Sequence, residues 1–233
     1  MVKVPMSEKV AGIIPAAGSG TRFGAEIPKQ FIEVKGKPVL AWTVDALLQS
    51  AILKKIVIVL PASGFDHWKR YLTSFVNAPG VEFVPGGKER WESVWNGLKV
   101  VCNNFNLVLI HDGARPLVKR DLVIRAVEKA RKKGAAICAV PATDTVKNVK
   151  GEMICVTLDR NTIWLAQTPQ VFKTDLLMEA YERAIEASSF GTDDASLVEK
   201  IGYRVFIVPG DRSNIKITTQ EDLEWFQWAI NRK

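Results

Sequence analysis

Four short apolar runs constrain this chain more than any other feature. They are Val10-Ala-Gly-Ile-Ile-Pro15, Lys55-Ile-Val-Ile-Val-Leu-Pro61, Asn106-Leu-Val-Leu-Ile-His-Asp112 and Ala135-Ala-Ile-Cys-Ala-Val140. None alternates apolar with polar, so each reads as a strand buried on both faces, and such strands belong in a sheet covered by helices on both sides. Helical patterns lie between them, around 64–76, 89–102 and 120–133. A further helix starts near Pro38, with Leu40, Val44, Leu47 and Ala51 at three- and four-residue spacing on one buried face. Strand–helix alternation predicts an α/β fold with a mostly parallel sheet.

One segment breaks the rhythm. Residues 144–158 read as two short strands around a turn at Lys150-Gly151, a protruding β-arm. A lone two-stranded ribbon is marginal in water, so it should lie on the body or against a second subunit. Helical patterns near 174–187 and 193–201, a strand at 204–208 and a last helix follow. That helix opens on Thr218-Thr-Gln-Glu221, the pattern of a capping box, and Leu223, Phe226 and Ile230 give it an apolar face. No repeat or linker divides the chain, so residues 1–233 read as a single domain.

Composition excludes several classes. With 47% hydrophobic and 24% charged residues, the chain is not disordered, collagenous or a coiled coil as a whole. No apolar stretch approaches the ~18 residues that span a bilayer, and the first nine residues do not resemble a signal peptide. Cys102, Cys138 and Cys155 are far apart and in no metal-like spacing, as expected of buried, reduced thiols in a cytoplasmic protein. Two histidines, His67 and His111, exclude a multi-histidine metal site. A net charge of +7 favours anionic partners: nucleic acid, acidic lipid or phosphorylated metabolites.

The motif that narrows this choice follows the first strand. Gly18, Gly20 and Gly24 stand where open α/β sheets bind ligands, and glycines there let backbone N–H groups approach a phosphate. A dinucleotide fingerprint fails, because its third glycine would fall on Phe23 and the second strand ends in Pro61-Ala-Ser63 without an acid. A Walker A loop fails too, since Gly36-Lys37 is followed by Pro38. Arg22 inside the loop and Lys29 just after it turn the segment into a candidate polyphosphate cradle.

Pro15-Ala-Ala-Gly-Ser-Gly-Thr-Arg22 with Pro28-Lys29-Gln30 resembles the nucleotide-binding loop of sugar-phosphate nucleotidyltransferases. Further stretches narrow the likeness: Gly86-Gly-Lys-Glu-Arg90 with Ser93-Val-Trp-Asn-Gly-Leu98, His111-Asp-Gly-Ala-Arg-Pro116, Pro141-Ala-Thr-Asp-Thr145, Asp159-Arg160, Thr168-Pro-Gln170, Thr192-Asp-Asp194 and Asn214-Ile-Lys-Ile-Thr218. In that order, from about residue 10 to 230, they resemble the cytidylyltransferases of 2-C-methyl-D-erythritol 4-phosphate. Cytidylyltransferases of ribitol 5-phosphate look very similar.

The resemblance implies a Rossmann-like nucleotidyltransferase sheet and transfer of CMP from CTP to a polyol phosphate, with release of pyrophosphate, in non-mevalonate isoprenoid synthesis. It implies catalytic roles for Arg22 and Lys29 at the triphosphate, and for Arg160 and Lys216 at the acceptor phosphate. On the residues alone, a surface ion pair with Asp159 is the favoured reading of Arg160, and Lys216 reads as one exposed residue of a strand; only the ordered set of motifs overturns both. Ala16, Ala17, Gly18, Gly20, Thr21, Gly86, Gly87, Arg90 and Ser93 match CTP-binding positions. Asp112, Arg115, Thr145, Thr168 and Thr192 match acceptor-binding positions. Asp112 is the candidate metal ligand, for Mg²⁺ or another divalent cation, and a helix cap or an ion pair with Arg115 is its plainer reading. Lys88 departs from the family pattern, which often has an acid there, and His111 reads as structural. The resemblance also implies a cytoplasmic homodimer whose arm embraces the second subunit, so that Thr145 and Arg160 serve the neighbouring site, with no nucleic-acid or membrane partner.

Two rival classes fit some of the residues. Seven tryptophans and the positive charge would suit a nucleic-acid-binding protein, but the tryptophans fall largely in helical patterns, where core packing is expected. A glycosyltransferase on a related core would often carry Asp-X-Asp, which this chain lacks.

Overall fold

The structure, a computed structural model, describes residues 9–18 and 28–232. The elements follow the alternation expected, with an unforeseen hairpin and an unforeseen strand β5: β1 (Val10–Pro15), a hairpin of β2 (Glu33–Val34) and β3 (Lys37–Pro38), α1 (Val39–Leu48), β4 (Leu53–Leu60), α2 (Phe65–Thr73), β5 (Val81–Pro85), α3 (Arg90–Val101), β6 (Leu107–Ile110), α4 (Arg120–Lys133) and β7 (Ala135–Pro141). Then come β8 (Lys147–Lys150), β9 (Met153–Thr157), β10 (Trp164–Lys173), α5 (Thr174–Glu186), α6 (Asp194–Lys200), β11 (Phe206–Pro209) and α7 (Gln220–Asn231).

The central sheet has seven strands in the order β11-β7-β10-β6-β1-β4-β5. All neighbours are parallel except β10, which runs antiparallel to both β6 and β7. The period-two rule assigns its faces. Ile14, Ile56, Ile58, Leu60, Leu107 and Leu109 point to one side and pack on α1, α2 and α4. Ala11, Ile13, Val57, Val59, Val108 and Ile110 point to the other and pack on α3, α5 and α6. Both faces are therefore dry, which is why β1, β6 and the buried stretch 56–60 of β4 have no polar positions. A third cluster sets α7, through Leu223 and Phe226, on Val34, Val39 and Ile217.

From β1 the chain steps outward to β4 and β5, then returns to β6 on the other flank of β1. That reversal opens a crevice beyond the carboxyl ends of β1 and β6.

Four expectations need correction. Residues 164–173, not foreseen as a strand, form β10 in mid-sheet; its ladder is irregular between Gln167 and Gln170, where Pro169 has no N–H to give. The capping box of α7 lies one residue later, with Thr219 accepting from the Asp222 N–H and Asp222 accepting from the Thr218 and Thr219 N–H groups. Of the three free thiols only Cys138 is buried, whereas Cys155 is exposed on β9. Trp91 and Trp95 stack on Phe190 and Tyr181 as helix-core residues should, but Trp225 and Trp228 on α7 stay exposed.

The arm forms as expected, β8 against β9, but it does not lie on the body. Every residue of both strands is exposed, including Val149, Met153, Ile154 and Val156. Among the described residues, no helix is long and apolar enough to cross a membrane.

Candidate active site

The crevice holds a cavity of about 350 Å³ whose walls come from the ends of β1, β5 and β6 and from the segment before α7. Its floor is made of small residues for steric reasons. A Cβ on Gly86 would come within 2.4 Å of Ala17 Cβ and 2.8 Å of Ser93 Oγ. A Cβ on Gly113 would meet Leu40 at 2.9 Å and Ala16 at 3.3 Å. The loops after β1, β5 and β6 thus pack too closely for a side chain at either glycine, with Ala16 and Ala17 against them. Gly86→Ala should push the first two apart and destabilise the protein by about 1–3 kcal/mol, the usual cost of overpacking a tight site. Thermal denaturation checks this; an unchanged melting temperature would show that the contact is dispensable.

Gln30 fastens the loop after β1. Its Nε2 donates to the carbonyls of Ala16 at 2.7 Å and Gly18 at 2.9 Å. Lys29, immediately before it, opens a short 3-10 turn and lines the cavity. On the opposite wall the Ser93 hydroxyl accepts from the Gly87 N–H and donates to the Glu89 carbonyl, both at 3.2 Å. A capping box between Glu89 and Glu92 starts α3, so the cavity wall ends in a well-anchored helix.

Charge is concentrated at the end of β6. Lys216 Nζ lies 3.0 Å from Asp112 Oδ2, Arg115 Nε 3.4 Å from the same oxygen, and Arg90 Nε 3.8 Å from Oδ1. Burial alone would raise the Asp112 carboxyl, but Lys216, then Arg90 and Arg115, overcome it and hold Asp112 well below the usual carboxylate range. Three cations around one carboxylate leave a surplus of positive charge, as a polyanion site requires.

Beneath them runs a buried hydrogen-bond chain. His111 Nε2 lies 3.1 Å from the Arg115 carbonyl, which accepts only from a protonated nitrogen, so the tautomer is fixed by this partner. Nδ1 then accepts from the Thr168 hydroxyl at 3.1 Å, and that hydroxyl oxygen accepts from the Asp112 N–H at 3.0 Å. Burial lowers the His111 pKa to about 4, so the ring is neutral at working pH. His111 is structural, as expected.

The structure brings together Ala16, Ala17, Gly18, Lys29, Gly87, Arg90, Ser93, Asp112 and Lys216 along the cavity wall. Gly86 packs just behind it. Arg115 and Thr168, expected to touch the acceptor, are instead buried below: Arg115 donates to the Asn214 carbonyl at 2.6 Å, and Thr168 spends its only proton on His111. Thr145, Arg160 and Thr192 are exposed and off the wall. Asp159 does not pair with Arg160; it caps the turn through the Asn161 N–H, and Arg160 donates to the Thr143 carbonyl. Gly20, Thr21 and Arg22 lie outside the described residues. The sequence motifs assigned no site role to Gln30, although it stands in the Pro28-Lys29-Gln30 stretch, or to Thr218, and Lys88, singled out only as a departure from the family pattern, lines the cavity with them.

Fold and crevice together define an α/β nucleotidyltransferase. A family model for 2-C-methyl-D-erythritol 4-phosphate cytidylyltransferase matches residues 10–232. A relative bearing that name in Syntrophus aciditrophicus is 46% identical over 220 residues, 94% of each chain. Another, from Bacillus licheniformis, is 44% identical over 211 residues, 91% of each. The crystal structure of 4-diphosphocytidyl-2C-methyl-D-erythritol synthase from Anaerococcus prevotii aligns with a TM-score of 0.84 at 32% identity, over 97% of this chain and 99% of that one. The chain belongs to the 2-C-methyl-D-erythritol 4-phosphate cytidylyltransferase family.

Proposed function

We infer that this protein transfers CMP from CTP to 2-C-methyl-D-erythritol 4-phosphate, giving 4-diphosphocytidyl-2-C-methyl-D-erythritol and pyrophosphate, in non-mevalonate isoprenoid synthesis. The observation that carries the reading is the cationic, small-residue crevice in a chain matched to this family over nearly its whole length. An acceptor phosphate oxygen attacks the α-phosphorus of CTP, a new P–O bond forms, and the α–β bridging bond breaks with its electron pair leaving on pyrophosphate. The nucleophile is already anionic, so no side chain need take a proton. What the protein must supply is alignment and neutralisation of charge.

In this reading the loop after β1 cradles the triphosphate, with Lys29, Arg90 and the loop residue Arg22 countering its charge. Ala16, Ala17, Gly86, Gly87 and Ser93 shape the floor against the pyrimidine and ribose. Lys216 and Asp112 face the acceptor, while Arg115 and Thr168 hold Asp112 from below. The donor set fits Mg²⁺ only as a companion of the nucleotide. Among the described residues no cluster of three metal-ligating side chains exists, and Asp112 could offer one oxygen beside those of the phosphates. Such an ion would spread the charge of the triphosphate.

The exposed arm supports a homodimer, because Ile154 and Met153 are 59% and 66% exposed on a two-stranded ribbon that is marginal in water by itself. A partner's arm would bring Thr145 and Arg160 to the crevice, which explains why neither reaches it within one chain. Sedimentation at decreasing concentration should show dimers whose dissociation abolishes turnover; a fully active monomer would contradict this. The family's metabolism suggests a cytoplasmic enzyme.

Pyrophosphate release from each of the four ribonucleoside triphosphates, against methylerythritol phosphate, ribitol 5-phosphate and no acceptor, tests the reaction. CTP with methylerythritol phosphate should exceed every other pair by at least about 10²-fold, the discrimination expected of a site that hydrogen-bonds its substrate. Preference for ribitol 5-phosphate would overturn the acceptor, and salt-sensitive binding of RNA or DNA without turnover would overturn the reaction.

A further inference from the structure

Arg90 is gripped from behind by a carboxylate that never reaches the cavity. Its Nη2 donates to Asp194 Oδ2 at 2.7 Å, while its Nε faces Asp112 Oδ1 at 3.8 Å and its Nη1 makes no hydrogen bond among the described residues. Asp194 is fully buried at the start of α6. Its other oxygen accepts from the Tyr181 hydroxyl at 2.6 Å, and Tyr181 is itself buried and stacked on Trp95. Gln170 on β10 pins the same turn, donating to Asp193 at 2.7 Å and accepting from the Ala195 N–H at 3.1 Å. Burial first, then Asp194, raises the Tyr181 phenol well above its usual range, so it remains a donor.

A buried carboxylate is expensive unless paired, and it is held here in one geometry by three elements. Without it, the nearest anion for Arg90 is Asp112, inside the crevice. The guanidinium would then fall onto Asp112 and turn its open edge away from the nucleotide.

We propose that Asp194 is a positioning residue of the reaction: braced by Tyr181, it holds Arg90 off Asp112 and presents the free edge of the guanidinium to the triphosphate of CTP. The inference rests on the reading of Arg90 as a triphosphate contact. In steady-state kinetics Asp194→Asn should raise KM for CTP about tenfold, the value of one charge-assisted contact, with KM for the acceptor within about twofold. Tyr181→Phe, which removes only the brace, should raise KM for CTP about threefold. Arg90→Ala should do at least as much as Asp194→Asn, and the double variant should be no worse than Arg90→Ala alone.

If Asp194→Asn does not fold, Tyr181→Phe decides. Normal KM for CTP in a folded Asp194 or Tyr181 variant, with Arg90→Ala impaired, overturns this inference alone. Equal rises in KM for both substrates would mark a merely structural role and also overturn it. An unimpaired Arg90→Ala removes the reading of Arg90 and this inference with it.

Discussion

Lys29→Ala should lower kcat by about 10²–10³, the usual loss when one preorganised donor to a developing charge is removed, with the fold intact. Lys29 stands at the mouth of the loop after β1, on the cavity wall, and the residue after it is locked to that loop by two hydrogen bonds. Its ammonium is therefore presented by a fixed backbone. As the α–β bond breaks, negative charge moves onto pyrophosphate, so a cation placed there binds the transition state more strongly than it binds CTP. The loss should therefore fall on kcat more than on KM. Arg22→Ala should behave alike, and a kcat within about threefold of wild type for both would remove the loop from the chemistry.

Asp112→Asn should cost both activity and stability. The substitution leaves Arg115, nearly buried, without its carboxylate, and sets Lys216 adrift at 40% side-chain exposure, while Arg90, at 33%, keeps only its pair with Asp194. Removing one partner of a buried pair costs about 3–5 kcal/mol, and the water reaching Lys216 and Arg90 places this case near about 3 kcal/mol. Turnover should fall by about 10²-fold, as the acceptor loses the cluster that aligns it. The pH dependence has a definite sign. The Asp112 carboxyl is depressed in the folded protein relative to the ordinary 3.8, so its stabilisation is complete above that value and is lost as pH falls through the lower, folded one. The gap in melting temperature between wild type and Asp112→Asn should therefore be constant from pH 8 to 5 and narrow below about 4. A gap that stays constant into strong acid would mean that the charge of Asp112 contributes nothing.

The architecture was legible because strands covered on both faces leave a mark: β1, β4, β6 and β7 carry unbroken apolar runs, and the helices between them show their stripes. β10 left no such mark. Its centre, Gln167-Thr168-Pro169-Gln170, is polar and contains a proline, which locally argues for a loop. The sheet tolerates it because each polar group has a long-range partner: Gln167 bonds the Asp211 carbonyl, Thr168 bonds His111 and Gln170 bonds Asp193. Such partners are 23 to 57 residues away and cannot be inferred from neighbouring positions.

The site divided in the same manner. Glycines and alanines at strand ends announced the floor, and Lys29, Arg90, Asp112 and Lys216 fell where the motifs put them. The depth of each residue was not legible. Arg115 and Thr168 belong to the same motifs yet lie under the site, and the Asp194 clamp joins positions 104 residues apart. Thr145 and Arg160 belong to those motifs too, yet both are exposed and off the cavity wall.

A crystal structure with CTP and the non-reacting acceptor 2-C-methyl-D-erythritol addresses the whole scheme. Expected is a triphosphate seated against residues 16–18 and Lys29, with the α-phosphorus between that loop and Lys216. A nucleotide whose phosphates lay away from the carboxyl ends of β1 and β6 would contradict it.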